Sequence, residues 1–136
     1  LEQARKAAAA AGAPLTEQPA RPGDGAWKDC HYAFVAARGS LELALGLMLE
    51  QGVVTRIDIA TPEVATRSGA HVGDDEHAVL DKYQGRLEGR EGADGRHYLV
   101  VYPEQPRQLV FQAEDGRISA FRVGQVPAVR YQGGCA

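Results

Sequence analysis

The sequence predicts an α+β domain on a largely antiparallel sheet of about five to six strands, with one main helix packed on one face. Three features carry that prediction. Apolar residues recur in short runs with a period of two, glycine-bearing pairs punctuate those runs, and one central stretch has the i, i+3, i+4 spacing of a buried helical stripe. The implied order is β-β-β-α-β-β-β, two runs of strands around a helix and not alternating βα units.

Residues Leu1–Ala11 are alanine-rich and favour a short helix that is marginal by itself. Pro14, Pro19, Pro22, Gly23 and Gly25 then read as an extended linker, so residues 1–26 form an arm and residues 27–136 the domain, starting at Trp27. His31–Ala36 is a short apolar strand. Leu43–Glu50 and Val53–Ala60 flank Gln51-Gly52 and read as a hairpin. In the second arm Val53, Thr55, Ile57 and Ile59 alternate with Val54, Arg56 and Asp58, as expected for a sheet with one wet face. Thr61-Pro62 ends that strand.

A helix is expected to start at Val72-Gly73-Asp74, with Asp74 as N-cap and Asp75 and Glu76 on the positive end of its dipole. Val79, Leu80, Tyr83 and Leu87 supply its buried stripe, and Gly85 its stop. Glu88–Arg96 reads as a charged, glycine-rich loop. Strands follow at His97–Tyr102, Gln108–Gln112 and Arg117–Val123, separated by Pro103 and Pro106 and by the hairpin pair Asp115-Gly116. The tail, Gly124–Ala136, is irregular, with Val126, Val129 and Tyr131 as docking residues.

A chain of 136 residues that is 44% hydrophobic and 24% charged is globular in composition. Fifteen basic against eighteen acidic residues give a net charge of -3, which argues against a nucleic-acid partner. The longest apolar run, Leu43–Leu49, is too short to cross a bilayer as a helix. Residues 1–12 hold no apolar run of signal-peptide length, so an exported form would be a mature or trimmed one. Cys30 opens the first apolar segment and Cys135 is the penultimate residue. A disulfide between them would tie the tail to the start of the fold and require an oxidising compartment. Two buried thiols are the alternative; no CxxC or HxxxH pair suggests a metal.

Several segments resemble a family of small, uncharacterised exported proteobacterial proteins. They are Arg56-Ile57-Asp58-Ile59, Thr66-x-x-Gly69-x-x-Val72-Gly73-Asp74 leading to Tyr83, His97-Tyr98-Leu99, Leu109-Val110-Phe111, and Phe121-Arg122-Val123-Gly124 running through Pro127-Ala128-Val129 to Gly134-Cys135. The resemblance spans roughly residues 30–135. It implies export and a Cys30–Cys135 bridge, and it implies no activity. The chain departs from the family at Tyr83-Gln84-Gly85, where Tyr-Gly is usual, and at Gln132-Gly133, where an acid usually precedes Gly-Cys. A looser, fold-level likeness is to β-lactamase inhibitor proteins and to small lipoproteins of the outer-membrane barrel-assembly machine, which favours protein binding.

No nucleophile elbow, phosphate loop or dinucleotide fingerprint occurs. Cys30-His31 are neighbours on a strand and point to opposite faces, which suits no thiol–imidazole pair. The strand of Tyr98, Val100 and Tyr102 with Leu99 and Val101 is apolar on both faces, so the face opposite the helix needs a cover: the arm, the tail, a second copy or a partner. The leading expectation is therefore a non-enzymatic exported domain, of protein-inhibitor or immunity type. It would bind a protein or envelope component in the periplasm or cell envelope through Arg56, Arg122, Arg130 and Tyr131. No cofactor is expected. A metal-dependent site or enzyme around His71, Asp74, His77 and His97 is the alternative, and a structural envelope lipoprotein tethered through its arm is a third reading.

Overall fold

The computed structural model describes residues 2–10, 15–17, 30–36, 43–131 and 135. Among these residues one antiparallel sheet of eight strands runs β1-β2-β3-β4-β8-β7-β6-β5. The strands are β1 (Leu15–Glu17), β2 (Cys30–Ala36), β3 (Leu43–Glu50), β4 (Val53–Ile59), β5 (Leu87–Glu91), β6 (His97–Val101), β7 (Arg107–Glu114) and β8 (Arg117–Gln125). Two helices accompany them, α1 (Glu2–Ala10) and α2 (Glu76–Lys82), and a 3-10 turn, Ala128–Arg130, follows β8.

The antiparallel sheet matches the sequence reading, whereas the strand number and order do not. Strand β5 occupies the stretch read as a loop. Its sequence, Leu-Glu-Gly-Arg-Glu, lacks apolar alternation because it is an edge strand: main-chain pairing to β6 holds it, and its charged side chains stay in water. Strand β1 lies in the segment read as an arm and pairs with β2. Leu87 begins β5 and does not extend the helix.

Both expected hairpin turns form. Gln51 and Gly52 lie at φ 51° and 80°, and Asp115 and Gly116 at 51° and 77°. Two consecutive positive φ values match the twist of the flanking strands, and glycine adopts one of them without steric cost. Bulges shift the alternation within each hairpin. Leu49 pairs with Val54 and Met48 with Arg56, which leaves Thr55 as the extra residue. Ala113 pairs with Ile118 and Gln112 with Ala120, which leaves Ser119 unopposed. Ile118 and Phe121 consequently share one face although period two assigns them to opposite ones.

That face is the main core. Val79 and Tyr83 of the α2 segment pack on Ile59, Leu99, Val101, Phe111, Ile118 and Phe121. The Tyr83, Phe111 and Phe121 rings lie 5.7 and 5.5 Å apart in tilted pairs. The cap differs from expectation by one residue: the Asp75 carboxylate accepts from the His77 amide. Asp74 instead accepts from the His71 amide. The entry to α2 is pinned to β8, since Gly73 N donates to Ile118 O and Ile118 N to Asp74 O. Toward β2, Ala33, Leu47 and Leu49 form a second cluster on which Ala4 of α1 packs.

Candidate functional site

The opposite face is covered by the tail. A cis Val126–Pro127 bond follows β8, and the 3-10 turn lies across the sheet. Val129 is fully buried against Tyr98, Val100 and Val110. Ala128 and Cys135 pack on Met48, with Cys30 and Tyr32 beside them. Cys30 and Cys135 form a disulfide with Cα atoms 5.8 Å apart.

Two expected anchor residues hold this tail from beneath. Arg56 and Arg122 are only 4% and 5% exposed. Arg56 Nη1 donates to the carbonyls of Ala128 at 3.1 Å and Tyr131 at 2.6 Å. Arg122 Nε donates to the Val129 carbonyl at 2.6 Å. The guanidiniums thus donate to the Val129 and Tyr131 carbonyls at the end of a short helical turn, and Arg56 adds a second donor to Ala128 O, which also accepts from the Tyr131 amide. Their role is mainly internal: both are buried beneath the tail, and Arg122 reaches only the wall of the cavity beside it. Of the other two, Arg130 is half-buried and Tyr131 is 40% exposed. Arg130 Nε donates to Gln108 Oε1 at 3.0 Å and its Nη2 to Pro103 O at 2.9 Å. Val126, expected to dock, is exposed.

The register brings these groups together. Asp58, Arg122, Val110 and Val100 form one row across β4, β8, β7 and β6, and Arg56 faces Gly124 in the next. Position 124 requires glycine, because a Cβ there would sit against Thr55 O and 2.9 Å from Arg56 Cα. Asp58 takes Arg56 Nε at 2.8 Å and the Tyr32 hydroxyl at 3.1 Å. Arg122 lies over the Tyr98 ring at 5.2 Å, a cation–π contact. Burial and the neighbouring Arg56 hold Arg122 below the usual arginine range. Two buried guanidiniums therefore share one carboxylate.

Burial, and then the Asp58 charge, push the Tyr32 phenol up to about 12. Its folded-state pKa lies above the ordinary tyrosine value of about 10, so its stabilising contribution is complete below that pH and is lost as pH climbs toward 12. Burial and the bond to Asp94 also raise the Tyr98 phenol, so ultraviolet titration of tyrosinate should show a late phase that loses the Tyr32 contribution in Tyr32→Phe. An unchanged late phase in that variant would contradict the assignment.

Beside the tail, Tyr98, Val100, Val110, Arg90, Glu91, Arg122 and Arg130 line a cavity of about 110 Å³. The Tyr98 hydroxyl donates to Asp94 at 2.6 Å. That bond first, and then the Arg96 amide, holds Asp94 below the usual carboxylate range. A second hollow, of about 230 Å³, lies on the helix side between Glu76, Gly89, Arg90, Glu91, His97 and Leu99.

The histidines read as the alternative site do not share partners. His71 Nε2 is 3.1 Å from Asp74, and its Nδ1 is 3.0 Å from Val72 O. The exposed His97 ring lies 3.3 Å from Glu76 and 3.6 Å from Glu91. Among the described residues no group of three or more His, Cys, Asp or Glu is arranged to hold a metal, and no helix there is long and apolar enough to cross a membrane.

The buried arginine clamp lay beyond sequence reasoning, because a period-two pattern does not separate a buried arginine from an exposed one. The available signal was the doubly apolar β6, which required a cover. No family model, curated protein or solved structure matches the chain.

Proposed function

We propose that this chain is a non-enzymatic exported binding domain, of inhibitor or immunity type, whose partner is a protein or envelope component in the periplasm or cell envelope. The disulfide is compatible with that compartment. The observation that carries the reading is the rigid presentation of Arg130 and Tyr131. Both lie on a segment fixed by the disulfide, by Arg56 and by Arg122, and Tyr131 is left 40% exposed. A tyrosine and an arginine held in place before contact are the residue types that dominate binding hot spots, and fixing them in advance lowers the entropy lost on association. The contact surface is thus the outer side of the tail and the cavity next to it.

The test is affinity capture from a native envelope fraction with the oxidised protein, followed by titration of the captured partner. Tyr131→Ala is expected to weaken that partner at least tenfold, about 1.4 kcal/mol. Equal affinity of wild type and Tyr131→Ala would remove this surface as the binding site.

A further inference from the structure

The cavity beside the tail has a charge balance that its own walls do not close. Arg122 is a buried cation whose Nε donates to a neutral carbonyl, and Arg130 bonds to a neutral amide and a carbonyl. Among the described residues neither forms a salt bridge with a carboxylate; Arg56 takes Asp58, and Arg90 takes Glu88 at 3.3 Å. Glu91 also lines the cavity, yet it pairs in register with His97, and its carboxylate lies toward that ring at 3.6 Å on the helix side. Arg122 stands opposite Asp58 in the sheet and shares that carboxylate with Arg56, so one carboxylate offsets two buried guanidiniums, and an anion that reaches Arg122 gains a charge-assisted, forked contact. The remaining walls, Tyr98, Val100 and Val110, are apolar or aromatic. A volume of about 110 Å³ holds several waters but is well below a typical cofactor or drug site, so it suits one short side chain or a very small acid.

We propose that this cavity binds a carboxylate on a short apolar stem, with Arg122 and Arg130 as its cationic partners. The proposal rests on the binding reading above and names the chemistry of what is bound. The carboxylate has two sources, an acidic side chain of a partner protein or a free small acid.

The test is amide NMR titration of the oxidised full chain with butyrate, with neutral butyramide, with inorganic phosphate, and with N-acetyl-glutamate methylamide as a side-chain mimic. Saturable shifts at Tyr98, Val100 and Val110 are expected with butyrate, at least tenfold weaker with butyramide. Arg130→Gln should weaken butyrate at least fivefold, with the amide spectrum elsewhere unchanged. The exposed Arg90→Gln, whose guanidinium is already paired with Glu88, should weaken it less. Tighter binding of the glutamate mimic than of butyrate identifies a partner's side chain, and the reverse identifies a free acid; either upholds the site. No saturable shift, or equal response to butyramide or phosphate, overturns it. If it is overturned while Tyr131→Ala still weakens the captured partner, the binding reading stands alone. If carboxylate binds while Tyr131→Ala changes nothing, that reading fails and the cavity remains.

Discussion

Replacing Arg56 with alanine is expected to destabilise the folded protein by about 3 kcal/mol, at the lower end of what breaking a buried ion pair costs. Three interactions disappear together. Asp58 loses its closest cation at 2.8 Å, and the carbonyls of Ala128 and Tyr131 lose a shared donor. The estimate sits at the lower end because Asp58 keeps the Tyr32 hydroxyl and its side chain is 29% exposed. Arg56→Lys should fall between wild type and alanine, since it keeps the charge but loses the planar fork that reaches carboxylate and carbonyls at once. Urea unfolding of the three proteins measures this. A loss below about 1 kcal/mol in Arg56→Ala would mean that the guanidinium does not hold the tail.

Reduction of the Cys30–Cys135 bridge is expected to have the larger effect. The bond closes a loop with a sequence separation of 105. The chain-entropy model gives roughly 4–5 kcal/mol for a loop of that length, a large fraction of a domain's total stability. The consequence is local as well as global. With Cys135 free, the tail is held by Arg56, Arg122, the Arg130 bonds to Gln108 and Pro103, and the packing of Ala128 and Val129. Amides of residues 126–131 should then exchange faster than those of β6–β8, which keep their ladders. Unfolding with and without reductant, checked with the Cys30→Ser/Cys135→Ser double variant, provides the measurement. An unchanged midpoint would contradict a structural bridge.

Much of the sheet is legible in the sequence, and the reasons are local. The Gln51-Gly52 and Asp115-Gly116 pairs announce hairpins because few residues tolerate positive φ at low cost. Strands β3 and β6 carry continuous apolar runs, and β4, β7 and β8 enough apolar alternation, to be located. Strand β5 is not legible, because an edge strand needs no apolar face and Glu88, Arg90 and Glu91 resemble a solvated loop. The bulges at Thr55 and Ser119 are equally silent. Each arises from pairing with a partner strand, and each changes which side chains share a face.

The site was half legible for a related reason. Arg56 and Arg122 stand out in the sequence as charges on strands, which suggests a wet face. Their burial depends on a tail more than sixty residues from Arg56 in the chain, as the Arg56–Ala128 separation of 72 shows. Long-range cover of that kind leaves no periodic trace. Val129 is recognisable as a docking residue because it is a large apolar side chain in an otherwise irregular tail, and it does dock. Val126 and Tyr131 share that trait, yet they stay exposed because the turn directs one residue in this short segment onto Tyr98, Val100 and Val110.

The binding surface, the arginine clamp and the cavity all require the C-terminal segment to lie on the second face of the sheet. Nuclear Overhauser contacts in the oxidised protein report that placement directly. Cross-peaks from the Val129 methyls to the Tyr98 ring and the Val110 methyls are expected, with the Arg122 Nε proton protected from exchange by the Val129 carbonyl. Val129 methyls that show no contact with β6 or β7, together with a rapidly exchanging Arg122 Nε proton, would contradict it.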